Sequence, residues 1–275
     1  MKVRISALIF FLIVIGTTFA NTNVNAATTT TIRFAIITDY GTNNGHELAV
    51  ANLVKSWNPD FIITLGDNNV LGAGKWSTAI GKYYGSYVST GRFFPVIGNH
   101  DYDSGVTGYT SYFTLPGNER YYDFIKGPVH FYAIDSVKDP DGVSSTSKQA
   151  TWLKGKLTSS TSAWDIVYFH YPPYTSSAVH PSTTYMRWSF KSWGADVILS
   201  GHIHAYERLS ESGLTYLTML PGGQDPYGFR TPISGSLFRY TGSYGATQVT
   251  ATNTKLDFKT FTTTGHLIQD YAMSK

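Results

Sequence analysis

The sequence predicts an α/β fold: a four-layer αββα sandwich in which two mixed β-sheets pack face to face with helices outside. Three observations predict it. Short apolar runs end abruptly in Gly and polar residues, as in Phe94-Pro95-Val96-Ile97-Gly98-Asn99-His100-Asp101, the pattern of a buried strand leaving its sheet. Segments of helical period separate the early runs, so the strands they connect are expected to be parallel. The C-terminal part then changes to short runs divided by turn residues, an antiparallel meander expected to belong to the second sheet.

In chain order, a first strand over Ile32–Thr38 ends at Asp39, and a polar loop leads into a helix over His46–Trp57 that Asn58-Pro59 stops. A second strand, Phe61–Leu65, ends in Gly66-Asp67. Trp76–Val88 is expected to be helical despite Gly81 and Gly85, and Phe93–Ile97 is the third strand. Tyr102–Asn118 reads as a long loop with little regular structure, its aromatics packing locally. Tyr121–Lys126 and Val129–Asp135 form an antiparallel pair around Gly127-Pro128. A helix over Ser145–Leu157, a strand over Asp165–Phe169, a helix over Thr183–Trp193 and a strand over Asp196–Leu199 follow. Beyond His204, Leu214–Leu220 is a strand and Pro221–Ser236 a Gly/Pro-rich loop whose Gly222-Gly223 is placed at the rim of a cleft. Gly245–Ala251, Lys255–Thr262 and His266–Tyr271 are the meander. No repeat or linker divides the chain.

The N-terminus reads as an address. Lys2 and Arg4 precede an apolar run from Ile5 to Ile15, and Val24-Asn25-Ala26 fits a small-residue cleavage site. Residues 1–26 are therefore expected to be an export signal and 27–275 one domain, secreted or periplasmic, with no stable membrane association after cleavage. The run is short for a bilayer span of about 20 residues. The formal net charge of +3 owes two of its positive charges to that segment. What remains gives no electrostatic argument for nucleic acid. The chain has no Cys, so neither disulfides nor thiolate metal sites are available to it.

Five predicted strands end in Asp, Asn or His, which together supply Asp39, Asp67, Asn99, His100, His170, His202 and His204. In an open α/β sheet such positions face the crevice where ligands bind. Carboxylate, amide and imidazole donors suit Zn, Fe, Mn or Ni. With His100 set aside, six ligands are too many for one metal with an open position. They suit two metals about 3.5–4 Å apart that share a carboxylate and activate water for attack on a phosphate ester.

The blocks Asp39-Tyr40-Gly41, Gly66-Asp67-Asn68, Gly98-Asn99-His100-Asp101, Val167-Tyr168-Phe169-His170 and Gly201-His202-Ile203-His204 resemble those of the calcineurin-like metallophosphoesterases. Asp-x-Gly in the first block and His170-Tyr171-Pro172 look most like the small tartrate-resistant, purple acid phosphatases. The resemblance implies that Asp67 bridges, that Asp39 and His204 bind the first metal, and that Asn99, His170 and His202 bind the second. It makes His100 an unliganded acid with Asp101 orienting its ring, and His180 a substrate-side group. One position departs from it: where the purple enzymes carry a metal-binding Tyr, three residues after the bridging Asp, this chain has Val70. The first site is one ligand short, with Tyr40, Asn43, Asn44, Asn69 or water as replacements. Two divalent ions (Fe, Mn or Zn) are expected, and ferric iron is disfavoured.

The expected function is hydrolysis of small phosphomonoesters by a monomer. A phosphodiesterase or nucleotide hydrolase on the same site is the enzymatic alternative. A catalytically weak binding protein retaining one metal is the non-enzymatic one.

Overall fold

A computed structural model describes residues 30–275, so the expected export signal lies outside the described residues. Among the described residues, thirteen strands form two sheets: β1 (Ile32–Ile37), β2 (Phe61–Thr64), β3 (Phe93–Pro95), β4 (Tyr122–Lys126), β5 (Val129–Ala133), β6 (Trp164–Tyr168), β7 (Val197–Ser200), β8 (Tyr206–Glu211), β9 (Leu214–Thr218), β10 (Ser236–Tyr240), β11 (Gly245–Ala251), β12 (Lys255–Thr262) and β13 (Leu267–Ser274). The helices are α1 (Gly45–Ser56), α2 (Lys82–Ser89), α3 (Asn99–Asp103), α4 (Val106–Tyr112), α5 (Lys148–Thr158) and α6 (Phe190–Trp193). The first sheet runs β13-β12-β11-β1-β2-β3 and the second β10-β8-β9-β7-β6-β5-β4.

The apolar runs are continuous because both faces of the central strands are covered. Side chains alternate across a strand. Phe34, Ile36, Phe61, Ile63, Ile166, Tyr168, Val197 and Leu199 therefore fill the space between the sheets. Ala35, Ile37 and Ile62 face the opposite way, onto α1, α2 and α4. Val167, Phe169 and Ile198 pack with Leu153 and Leu157 of α5 and Phe190 of α6. This gives the four layers that the sequence predicts. Aromatic rings join the sheets: Phe131 lies 5.1 Å from Phe34 and 5.4 Å from Phe61.

Three expectations are corrected. The meander does not build the second sheet. β11 pairs antiparallel with β1, from Ile32↔Ala251 to Ile36↔Thr247, so it extends the first sheet, while β4–β10 make the second. β8 and β10 were not anticipated and form the other edge of that second sheet. The stretch after the third strand is not irregular: α3 and α4 form there, with Tyr109 and Phe113 buried against Trp76 at 5.9 and 6.2 Å. Thr183–Trp193 is not one helix but a turn of 3-10 helix at Thr184–Met186 followed by the short α6. Arg187 leaves the helical conformation between them, its Nε donating to the Pro173 carbonyl and its guanidinium lying over Tyr174.

Candidate metal centre

Asp39, Asp67, Asn99, His170 and the His202–His204 turn follow β1, β2, β3, β6 and β7, all at strand C-terminal ends. The two sheets thus deliver their polar residues to one crevice. One ligand atom each from Asp67, His170 and His202 fall within 4.8 Å of one another, and so do atoms from Asp39, Asp67 and His204. Asp67 belongs to both groups. Asn99 joins the first of them, its Oδ1 3.1 Å from His170 Nε2.

The backbone is bent sharply to make this happen. Asp39, Asp67, His202 and His204 have φ of 51°, 52°, 70° and 46°. The left-handed region costs an L-residue roughly 1–2 kcal/mol, and such positions cluster at functional sites. His202 and His204 converge through this turn, not by alternating along a strand. Local hydrogen bonds hold the bends: Asp39 Oδ2 accepts from Thr38 Oγ1 at 2.7 Å and from His202 N at 3.0 Å. Asp67 Oδ1 accepts from His100 N at 3.0 Å. Gly98 permits the last of these, since a Cβ there would stand 2.2 Å from both the nitrogen and Oδ1 of Asp67.

Two histidines are aimed by carbonyls. His170 Nδ1 faces the Leu65 carbonyl at 2.7 Å and His204 Nδ1 the Asp225 carbonyl at 2.8 Å. A carbonyl only accepts, so Nδ1 carries the hydrogen and Nε2 is left as a ligand atom. Asp39 Oδ1 is buried with no hydrogen-bond partner, yet stands 3.3 Å from His204 Nε2. A buried, orphaned carboxylate oxygen beside an inward imidazole nitrogen fits a cation between them.

The charges respond to this crowding. Burial alone would raise the Asp67 carboxyl, but His170 overrides it and holds it below the usual range. Burial would push His170 down, and Asp67 holds it up instead. Burial would also lower His204, which Asp39 holds up. Burial and the His170 ring push His202 down to about 2. Both Asp67 and His170 are buried, with Oδ1 and Nε2 3.4 Å apart. Where a cation binds, it takes over from the His170 proton in stabilising Asp67.

His100 lies at the mouth, 42 % exposed, with Nε2 3.9 Å from Asp67 Oδ2 and Nδ1 3.6 Å from the exposed Asp103 Oδ2. Asp101 is not behind its ring, and this corrects the expectation. As the third residue of α3 it points back under the Asn68–Asn69 turn. There it accepts from Gly98 N at 2.9 Å, Asn68 Nδ2 at 2.7 Å, Asn68 N at 3.2 Å and Asn69 N at 2.9 Å. Burial, with Asp67 nearby, raises its carboxyl to about 7. Among the described residues no hydrogen bond or ion pair joins it to His100. His180 does reach the site: its ring is 4.0 Å from that of His202 and 5.3 Å from that of Tyr227.

The side chains named as replacements for the missing first-site ligand are engaged elsewhere. The Tyr40 hydroxyl donates to Asn68 Oδ1 from within the helix-side core. Asn43 Oδ1 accepts from Lys82 Nζ and Tyr83 OH, Asn44 caps α1, and Asn69 closes its own turn onto Leu71 N and the Gly72 carbonyl. Position 41 leaves no room for a His, because a Cβ there would lie 1.9 Å from the Asn68 carbonyl oxygen. Two residues that sequence reasoning missed stand at the site. Tyr227 stacks on His204 at 4.1 Å. Gln224 Nε2 lies 3.4 Å from Asp67 Oδ2. Their only signal was position just past Gly222-Gly223.

Comparison with known proteins gives the family and the fold. The family described as Calcineurin-like phosphoesterase matches residues 32–206. Purple acid phosphatase 23 of Arabidopsis thaliana is 25% identical over 245 residues, covering 70% of this chain and 52% of its own length. Purple acid phosphatase 22 of the same plant is 31% identical over 131 residues, covering 42% of this chain and 29% of its own length. The chain thus spans about half the length, or less, of these curated relatives. In fold it is similar to purple acid phosphatase PPD1 from yellow lupin seeds, with a TM-score of 0.74 at 15% identity over 90% of this chain and 54% of that one. It is also similar to GAP50 of Plasmodium, with a TM-score of 0.71 at 19% identity over 89% of each. The chain belongs to the calcineurin-like phosphoesterase family and, within it, is similar to the purple acid phosphatases.

Proposed function

We propose that this chain is an exported metal-dependent phosphomonoesterase whose two cations share one carboxylate. The observation that carries the reading is the pair of ligand groups joined at Asp67. Asp39 and His204 would hold one cation, and Asn99, His170 and His202 the other, with Asp67 between them. The donor set, rich in carboxylate and imidazole and free of thiolate, suits divalent Fe, Mn or Zn. When bound, two such ions supply Lewis acidity toward the phosphate and lower the pKa of water.

The remaining work falls to side chains. His100 Nε2 faces the crevice and holds the proton that the departing alkoxide needs. Asp103 Oδ2 stands 3.6 Å from Nδ1 on the outer, solvent-exposed side. His180, which burial first and His204 second push toward its neutral form, offers a hydrogen bond to a phosphate oxygen. Export rests on the pattern of residues 1–26, with residues 27–275 as the catalytic domain. Among the described residues, no helix is long and apolar enough to cross a membrane.

The test is hydrolysis of an aryl phosphate monoester and the matching diester after reconstitution with Fe, Mn or Zn. Faster turnover of the monoester is expected. Preference for the diester would overturn the substrate class. A second reading, a binding protein with one tight metal and little hydrolysis, draws on Val70. It also draws on the likeness in fold to GAP50, whose description calls it an anchor in an inner membrane complex. It predicts about one metal per chain and no gain in activity with added metal.

A further inference from the structure

We infer that Gln224 supplies the ligand that Val70 cannot, through its side-chain amide oxygen on the first cation. The inference rests on the dinuclear reading above. The two oxygens of Asp67 face different neighbours. Oδ1 takes the His100 N–H at 3.0 Å and faces His170 Nε2 at 3.4 Å, on the side of the second cation. Oδ2 has the Gln224 amide at 3.4 Å.

Gln224 is held there by the first-site residues themselves. The Gly223 and Gln224 N–H groups both donate to the Asp39 carbonyl, at 3.1 and 3.0 Å, and Gly222 N donates to the Thr38 carbonyl at 2.7 Å. The next residue, Asp225, provides the carbonyl that turns His204 Nε2 toward Asp39. Residues 222–225 therefore touch Asp39 by backbone, Asp67 by side chain and His204 by ring, the three residues assigned to the first cation. Asp39 Oδ1, buried and without a hydrogen-bond partner, marks where that cation would sit. The side-chain alternatives read from sequence are committed elsewhere, whereas the Gln224 side-chain amide lies against Asp67 Oδ2.

A carboxamide carries a donor and an acceptor on one carbon. Against a bare carboxylate it presents its N–H, as here. Against a cation, a half-turn of the amide presents Oε1. Such an amide oxygen is neutral where the phenolate of the purple enzymes is anionic. The first site would be the weaker of the two and would favour a divalent ion.

The experiment is metal analysis and calorimetric titration with Mn and Zn of the full chain, comparing the unaltered protein with Gln224→Met, Gln224→Glu and Tyr227→Phe. Melting of the metal-free proteins checks folding, and Gln224→Met keeps the side chain's bulk. The expected result is two equivalents in the unaltered protein. In Gln224→Met the weaker affinity should fall at least about tenfold and the tighter stay within about twofold. In Gln224→Glu the weaker affinity should rise, and Tyr227→Phe should change neither. Two unchanged equivalents in Gln224→Met overturn the assignment alone, as does loss of the weaker one in Tyr227→Phe only. One equivalent or none in the unaltered protein overturns the dinuclear reading, and the assignment with it.

Discussion

The Asn68 side-chain amide donates to Asp101 Oδ2 at 2.7 Å, and this bond fixes the loop that carries Asp67 to the α3 helix that carries Asn99 and His100. Asp101 also accepts the backbone N–H groups of Asn68, Asn69 and Gly98. Its place is beneath the loop that carries Asp67, not beside the His100 ring.

Asp101→Ala therefore leaves buried donors unsatisfied, at about 1–3 kcal/mol each. Thermal melting should show a large loss of stability, and metal analysis should show reduced metal content. Asp101→Asn should share both defects in part, because its amide N–H group meets backbone N–H groups. If either variant kept its melting temperature and metal and changed only the pH profile, the carboxylate would be orienting His100 after all.

His100→Ala should keep its metal and lose about 100- to 10,000-fold in kcat, the usual contribution of a general acid. Its ring is half-exposed and its nearest carboxylate atoms are 3.6 and 3.9 Å away. Metal analysis of the variant decides the matter: loss of a cation would make His100 a ligand.

Asn99→Ala and His202→Ala should each lower metal content and reduce kcat/KM at least about 100-fold, beyond the 10- to 100-fold typical of outer-sphere changes. Unchanged activity in both would remove the second site from the scheme.

Glu47 predicts a pH dependence of stability apart from the metal ligands. It is buried, its Oε2 accepting from Thr42 N and Asn43 N while Oε1 has no partner. Burial raises its carboxyl from the ordinary 4.5 to about 8. The folded chain then holds a proton that the unfolded chain releases. The stabilisation is complete below about pH 4.5 and lost as pH rises through about 8. The melting temperature of the unaltered protein relative to Glu47→Gln should fall between pH 5 and about 8.5. Parallel curves would show Glu47 ionised throughout.

What was legible in the sequence was local. Asp39, Asp67, Asn99 and His170 could be found because each stands within two residues of the end of an apolar run, and the break in pattern is visible without knowing any partner. The layering was legible for the same reason, since runs such as Phe61-Ile62-Ile63 require cover on both faces. Which sheet the meander joins was not legible, because β11 finds β1 across more than two hundred residues and its alternation is the same against either sheet. Asp101 misled because neighbours in sequence point apart on a helix. The spacing of His202 and His204 by one residue does not show how they are turned, and only their positive φ reveals a turn. Gln224 carried no signal beyond its position after Gly222-Gly223, because its place is set by backbone bonds from the 222–224 loop to Thr38 and Asp39.

The most direct measurement is metal stoichiometry of the reconstituted protein beside Asp67→Ala, with phosphomonoester hydrolysis followed on the same samples. Two equivalents, with activity that rises as the second binds and with both cations weakened in Asp67→Ala, is the predicted result. A single equivalent with full activity, or an Asp67→Ala protein that loses one cation and keeps the other at unchanged affinity, would contradict a centre built on one shared carboxylate.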